Sequence, residues 1–318
     1  MNVIQVLAPG LLTTVQDLGR EGFGPLGVSP SGAADPIALR LGNRLVGNPD
    51  GAAGLEMTLL GGTFLFPEGA VIALTGSDFS ATLDQAPISV WTSVLVKPRQ
   101  TLRLGATRTG ARSYLCVHGG ITVKPFLGSA STHLLSGLGG HEGRALRKGD
   151  VLQIGSPRHT YRKRSVAPQA LQKLAPRKTL RVTPGPQSDW FPAASQALFY
   201  GSAYRVAEES NRMGLRLEGP PIADGSEGQM ITEGVSLGAV QITAGGAPII
   251  LFVEQQTTGG YAKIANIISA DLSSLGQLRP RDEIHFERMD WEAAHSLLLE
   301  QERLLASEEL VVACTAST

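Results

Sequence analysis

Four stretches of this 318-residue chain hold more polar chemistry than a plain scaffold needs. The richest reads Glu254-Gln-Gln-Thr-Thr-Gly-Gly-Tyr-Ala-Lys263 and follows the apolar run Ile249-Ile-Leu-Phe-Val253. Its hydroxyls, amides and paired glycines can turn backbone N–H groups toward a pocket, an arrangement suited to a developing oxyanion. Lys263 can stabilise an anion, and Tyr261 can donate a proton or pack a planar ligand. The plain alternative is a Gly-Gly turn between two strands. A second stretch is Glu209-Ser-Asn-Arg-Met-Gly-Leu-Arg-Leu217. Arg212 can grip a carboxylate through two N–H groups, and the Asn211 amide both donates and accepts. Met213 and Leu215 alternate with Gly214 and Arg216, so part of the stretch reads as strand. A third runs Thr13-Thr-Val-Gln-Asp-Leu-Gly-Arg20 and on through Ser31 to Asp35. It mixes amide, carboxylate and guanidinium with glycines that admit a close ligand. A long loop fastened by Asx turns and a helix cap at Asp35 explains it equally well. In the fourth, Gly185-Pro-Gln-Ser-Asp-Trp-Phe191, structure is the preferred reading: Asp189 caps a turn that Trp190 and Phe191 anchor.

Other chemistries find no support. The chain has no G-x-x-x-x-G-K-[ST], G-x-S-x-G, H-E-x-x-H or paired C-x-x-C, and no Ala-Met-Lys-Met-like segment for covalent biotin. The six histidines are scattered; His133 and His141 flank a glycine-rich loop without an evident third ligand, so no metal is expected. Lys plus Arg and Asp plus Glu balance at 28 each, which leaves no long-range attraction to nucleic acid or anionic lipid. The basic cluster Arg158, Arg162, Lys163 and Arg164 lies among prolines and reads as a solvated connector. Cys116 sits in an apolar run as a small buried thiol, and Cys314 lies in a polar tail, so no disulfide is expected. No apolar run approaches membrane-spanning length and no leader is evident, which makes the cytoplasm the expected compartment.

The elements that must position these groups are mostly strands. Short β-type runs such as Val71-Ile-Ala-Leu-Thr75, Ser113-Tyr-Leu-Cys-Val117 and Ala239-Val-Gln-Ile-Thr243 lie between Gly and Pro punctuation. They argue for barrels or sandwiches, and strict strand–helix alternation is missing. Residues 34–46 read as a helix, with Asp35 as cap, Pro36 behind it and Ile37, Leu41 and Leu45 on one face. Residues 290–305 read as another, its stripe of Trp291, Ala294, Leu297, Leu298, Leu304 and Leu305 expected to pack on a barrel. The expected organisation is a half at 1–160, a linker at 161–178, a half at 179–289 and a helix with tail at 290–318. A faint echo supports two related halves: residues 110–117 resemble 246–253, and Arg147-Lys-Gly-Asp-Val-Leu-Gln-Ile154 resembles Arg279-Pro-Arg-Asp-Glu-Ile-His-Phe286.

Pro9 to Arg20, Ser31-Gly-Ala-Ala-Asp35, Asn43 to Asn48, Gly185 to Phe191, Asn211 to Pro220, Gln256-Thr-Thr-Gly-Gly-Tyr261 and Ile268-Ser-Ala-Asp-Leu272 together resemble the allophanate hydrolase subunit 2 family, in order, across residues 3–288. That family includes the C subunit of bacterial ATP-dependent 5-oxoprolinase and the antagonist of the sporulation kinase inhibitor KipI, and it matches the second half of the urea carboxylase carboxyltransferase domain. The resemblance implies a mainly β fold of two cyclophilin-like β-barrel halves with a few short helices and a C-terminal helix. Members often have Met at Ala34, Asp-Arg at Glu254-Gln255 and Pro at Ala262; the latter departures leave the substrate open.

The resemblance further implies a heteromeric hydrolase that opens 5-oxoproline to L-glutamate with ATP. A KipI-like B subunit would complete the pocket, and a LamB/YcsF-like A subunit would carry ATP; no cofactor is covalently bound. Lys263, Gln256 and Thr257 would then meet oxyanion or phosphoryl charge, and Arg212 the substrate carboxylate. Tyr261 and Asn211 would orient the ring, with Ser31 and Met213 beside it, and Asp35 or Glu254 would manage a water or proton. Two other roles fit the same family: carboxyl transfer to a urea-like amide from a partner's carboxybiotin, or non-catalytic binding of the B subunit. All three expect the Asn211 and Gln256 loops to converge, across two barrels, on one polar cleft.

Overall fold

The computed structural model describes residues 2–156, 162–223 and 230–313. Arg158, His159 and Cys314 lie outside the described residues. The chain forms two compact units: Met1–Arg20, Ser31–Leu174 and Ala306–Thr318 make the first, and Glu21–Pro30 with Ala175–Leu305 the second.

The first unit holds two antiparallel sheets over one core. A seven-stranded sheet runs, in spatial order, Ile121–Thr122, Val151–Ile154, Val3–Ala8, Thr63–Phe66, Gln100–Arg103, Thr82–Leu83 and Ala86–Pro87. A five-stranded sheet runs Leu12–Gln16, Gly54–Thr58, Arg112–Val117, Ala70–Gly76 and Ser93–Val96. Alternation sends Ile4, Val6, Phe64 and Phe66 inward from the first sheet, where they join Leu55, Met57, Ile72, Leu74 and Leu115 from the second. Each such side chain, fully buried, contributes about 1.5–3 kcal/mol.

The helix Pro36–Val46 begins where its sequence says it should. Asp35 Oδ1 accepts from Ala38 N at 3.0 Å, Pro36 follows, and Gly47 ends the helix at φ 79°. Burial extends well beyond Ile37, Leu41 and Leu45, because Gly42 lets the helix press onto the strands beneath it. A Cβ at Gly42 would lie 2.6 Å from Cys116 Sγ and 2.8 Å from Thr75 Oγ1. Helix propensity favours alanine over glycine by about 1 kcal/mol. Overpacking costs about 1–3 kcal/mol. Gly42→Ala is therefore expected to lower stability in chemical denaturation; a stabilised variant would contradict the close contact. Cys116 is buried, and burial pushes its thiol pKa far up, so it packs as an inert small hydrophobe.

The second unit is a closed seven-stranded barrel, ordered Thr179–Pro184, Lys263–Ile267, Ala239–Ile242, Pro248–Leu251, Gly214–Glu218, Tyr204–Val206 and Glu283–Arg288. The last strand pairs in parallel with the first, which closes the barrel. Phe199, from the helix Ala193–Gly201, stacks on Phe286 with centroids 4.4 Å apart. The two units thus share a mainly β character, although the first closes its core between two sheets and the second within one barrel.

The echo of residues 147–154 in 279–286 opens on a shared turn. In the first unit, the Asp150 carboxylate accepts from Arg147 N at 2.7 Å and its N–H donates to Arg147 O at 3.2 Å. Val6 N then donates to Asp150 O at 2.9 Å, and Gly149 N to Val6 O at 2.8 Å. In the second, Asp282 makes the same pair of bonds with Arg279 at 2.8 and 3.1 Å. Val206 N donates to Asp282 O at 2.9 Å, and Arg281 N to Val206 O at 2.7 Å. Gly149 and Arg281 both take positive φ, at 94° and 70°. The Arg144 guanidinium, bonded through Nη1 and Nη2 at 2.8 and 3.0 Å, holds the Asp150 carboxyl at about 2 against an ordinary 3.8. A carboxyl lowered on folding stabilises above its unfolded pKa and loses that contribution as pH falls through the folded one. Asp150→Asn is expected to flatten the fall in Tm between pH 3.8 and about 2, in a thermal-melt series; an unchanged slope would dismiss the contribution.

Two expectations are revised. The stretch 161–178 is structured where described: Arg164–Val166 pairs with Val311–Ala313, and Pro168–Lys173 is helical. Arg162 and Lys163 are exposed, but Arg164 Nη1 donates to Arg44 O at 3.0 Å and so caps the helix Pro36–Val46. The helix Trp291–Ala306, capped by Asp290, buries its stripe incompletely: Leu305 is fully buried, Leu297 and Leu298 half-buried, and Trp291 is 67% exposed. No helix among the described residues is long and apolar enough to cross a membrane.

Candidate functional site

Lys263 opens a barrel strand and is 2% exposed. Buried ammonium groups need an anion or a set of acceptors, because isolated charge is costly out of water. Lys263 Nζ meets Glu233 Oε1 at 2.6 Å, and Met230 Sδ lies 4.0 Å away. Glu233 belongs to a different environment. Its side chain is 44% exposed, and it sits on a two-residue strand, Glu233–Gly234, paired with Thr258–Gly259. The Lys263 ammonium, and after it the Gln187 amide, hold the Glu233 carboxyl below its ordinary pKa.

Gln187 completes the cluster. After the strand Thr179–Pro184 the chain crosses Lys263 closely enough that a Cβ on Gly185 would collide with Lys263 O. Gln187 N then donates to Lys263 O at 3.3 Å, and Gln187 Oε1 accepts from Lys263 N at 3.2 Å. The amide oxygen is thereby spoken for, so the NH2 group points at Glu233 Oε1, 3.0 Å away. Sequence reasoning misses this residue, because Asp189, Trp190 and Phe191 dominate its stretch. Phe191 is indeed buried, but Trp190 and Asp189 are exposed. Gly185 and Pro186 beside Gln187 are the only local hint; Glu233 has none.

The rest of the 254–263 stretch lies around this cluster. Thr257 O accepts from Val235 N at 3.1 Å, which ties the loop to the strand Glu233–Gly234. A Cβ at Gly259 would stand 2.7 Å from Gln241 Nε2, so a larger residue there would displace the Gln241 amide. Gln256 is exposed, Thr257 half-buried and Tyr261 45% exposed.

Arg212 and Glu254, given separate tasks from the sequence, form one buried ion pair, Nε to Oε1 at 2.5 Å, with side chains 5% and 3% exposed. Glu254 N donates to Arg212 O at 2.7 Å and Phe252 N to Met213 O at 2.9 Å. Asn211 is exposed and its Oδ1 accepts from Met213 N at 2.8 Å, while Met213 is half-buried. The Asn211 and Gln256 loops therefore adjoin, but both come from the second unit, through pairing of Gly214–Glu218 with Pro248–Leu251, and not from two barrels.

Ser31 and Asp35 belong to the first unit. Asp35 is occupied as a helix cap. Its N–H donates to Tyr114 Oη at 2.7 Å, and Tyr114 donates to Glu56 Oε2 at 2.7 Å, with Arg112 3.4 Å from the same carboxylate. Burial, then the Glu56 charge, pushes the Tyr114 pKa well up and keeps the phenol neutral. Ser31 is buried at φ 55°, and its hydroxyl finds no hydrogen-bond partner among the described residues. Asp17 fastens a loop: its carboxylate accepts from Gly19 N, Ala130 N and the hydroxyls of Ser129 and Ser131 at 2.5–2.8 Å. Arg20, over the Phe126 ring, donates to Phe126 O and Ser131 O. The Thr13-to-Arg20 motif thus does structural duty here. Among the described residues, no group of three or more His, Cys, Asp and Glu is placed to hold a metal ion.

Residues 26–288 match the family described as carboxyltransferase domain, subdomain A and B, and the chain belongs to that family. It is 40% identical over 303 residues to the 5-oxoprolinase C subunit of Escherichia coli, covering 95% of this chain and 96% of that protein. Against the 5-oxoprolinase C subunit of Haemophilus influenzae the identity is 35% over 295 residues, covering 93% and 94%. Among solved structures, the K. lactis urea amidolyase superposes with a TM-score of 0.88 at 33% identity, over 98% of this chain and 21% of that one. The resemblance read from the motifs is thus carried by nearly the whole chain.

Proposed function

We propose that this chain is the C subunit of an ATP-dependent 5-oxoprolinase, which with A and B partner subunits in the cytoplasm cleaves 5-oxoproline to L-glutamate. The observation that carries this reading is a buried cation with a removable anion: Lys263, enclosed in the barrel, paired with the half-exposed Glu233. End-to-end similarity to proteins named as the C subunit of 5-oxoprolinase supports it.

The chemistry explains why such a cation is wanted. A lactam carbonyl resists water because amide resonance delocalises the nitrogen lone pair into it. Phosphorylating the carbonyl oxygen, with ATP on the A subunit and release of ADP, activates the carbon. Water adds to it, the ring C–N bond breaks with the nitrogen leaving as the protonated amine, and a second water hydrolyses the resulting acyl phosphate to glutamate and phosphate. Substrate and intermediates are anionic at every stage. Lys263 supplies positive charge inside the barrel, where the low dielectric makes it effective. Gln256, Thr257 and Tyr261 lie on the adjoining loop and would line the substrate's approach. The Arg212–Glu254 pair holds that loop against residues 211–213. Ser31 and Asp35, in the first unit, are given no step in this scheme.

The likeness to urea amidolyase favours one other reading: carboxyl transfer to a urea-like amide, with carboxybiotin supplied by a partner. The test is reconstitution of the chain with its A and B partners. Glutamate released from 5-oxoproline and ATP is the expected result. Dependence on bicarbonate and a biotinylated partner would replace it with the carboxylase reading, and tight B binding without any turnover would leave a regulatory role.

A further inference from the structure

We propose that Lys263 Nζ and Gln187 Nε2 form a receptor for the carboxylate of a small substrate, which Glu233 occupies until the substrate displaces it. The inference rests on the 5-oxoprolinase reading and deepens it by naming the substrate group that this site holds.

Both donors converge on one oxygen: Glu233 Oε1 lies 2.6 Å from Lys263 Nζ and 3.0 Å from Gln187 Nε2. Both are preorganised. Lys263 is enclosed by the barrel, and the Gln187 amide is locked by the Lys263 backbone N–H at 3.2 Å. Their occupant is not enclosed. Glu233 stands on a two-residue strand held only by its pairing with Thr258–Gly259, two positions from Ile231 at 88% exposure, and its own side chain is 44% exposed. Withdrawing Glu233 into water costs it little, whereas the buried ammonium cannot be left without an anion. An incoming carboxylate satisfies both donors like for like. A neutral urea or amide cannot, so the exchange selects an anionic substrate. Arg212 is poorly suited to this task, since its partner Glu254 is as buried as itself.

Titration calorimetry on the full-length chain decides the matter, with 5-oxoproline, acetate and the neutral lactam 2-pyrrolidinone as probes. Removing the internal competitor with Glu233→Ala is expected to tighten 5-oxoproline and acetate about ten-fold or more, since a self-occupied site reduces apparent affinity by its open fraction. Binding of 2-pyrrolidinone should stay unchanged, and the double variant Glu233→Ala/Lys263→Met should lose the gain. Gln187→Leu on the Glu233→Ala background should lose part of it. If Glu233→Ala does not fold, Glu233→Gln, which keeps the shape and removes the charge, is expected to show a smaller tightening of the same two anions. Equal tightening of 2-pyrrolidinone, or none of either anion, would overturn the proposal. Glutamate release by the reconstituted complex is measured separately. Anion binding without glutamate release would therefore defeat the 5-oxoprolinase reading while leaving the carboxylate receptor standing.

Discussion

Lys263→Met is expected to lower kcat/KM for glutamate release by on the order of 100-fold or more in the reconstituted complex, the scale of losing a buried, preorganised charge partner. Methionine keeps the unbranched stem that the barrel encloses and deletes only the ammonium. The fold should survive, because the group left behind, Glu233, is half-exposed and can take up water. This asymmetry separates a catalytic effect from a structural one: the opposite deletion, at Glu233, strands a buried cation. The partition of the loss carries further information. A fall confined to KM means that Lys263 holds substrate and transition state alike; a fall in kcat means that it also meets charge that develops during ring opening. Native-like kcat/KM in a folded variant would remove Lys263 from the site.

Glu254→Leu should be strongly destabilising to the second unit. It leaves Arg212 buried at 4% exposure without its carboxylate, a situation that costs about 3–5 kcal/mol. The double variant Arg212→Met/Glu254→Leu removes both charges and should recover to within about 1 kcal/mol of the parent, since buried ion pairs are often replaceable by apolar side chains. Denaturant titrations of both singles and the double give the coupling directly. The same double variant tests the role read into Arg212 from the sequence. If the pair only fastens loop 211–213 to 252–254, turnover in the complex should stay within about ten-fold of the parent. A loss on the scale of Lys263→Met at parental stability would show that one of the two touches substrate after all.

Much of this protein is written in local pattern. The Asp35-Pro36 start and Gly47 stop of the first helix depend on neighbours within a turn of chain, so residue type alone settles them. The Arg-x-x-Asp turns at 147–150 and 279–282 are equally local, and their repetition is visible before any strand is paired. Lys263 stands out because it closes a run of hydroxyls, amides and glycines. What it touches does not. Gln187 lies 76 positions away and Glu233 30, and only the register that brings Lys263–Ile267 against Thr179–Pro184, and Thr258–Gly259 against Glu233–Gly234, makes them neighbours. Arg212 and Glu254 each look free to act because a sequence shows charges without their distances. The same blindness promises a buried stripe on the helix Trp291–Ala306, whose Trp291 stands in solvent. Local hydrogen bonding and periodicity decided the elements and the family; long-range strand pairing decided which charges are neutralised, and therefore which cation is left with an anion that a substrate can replace.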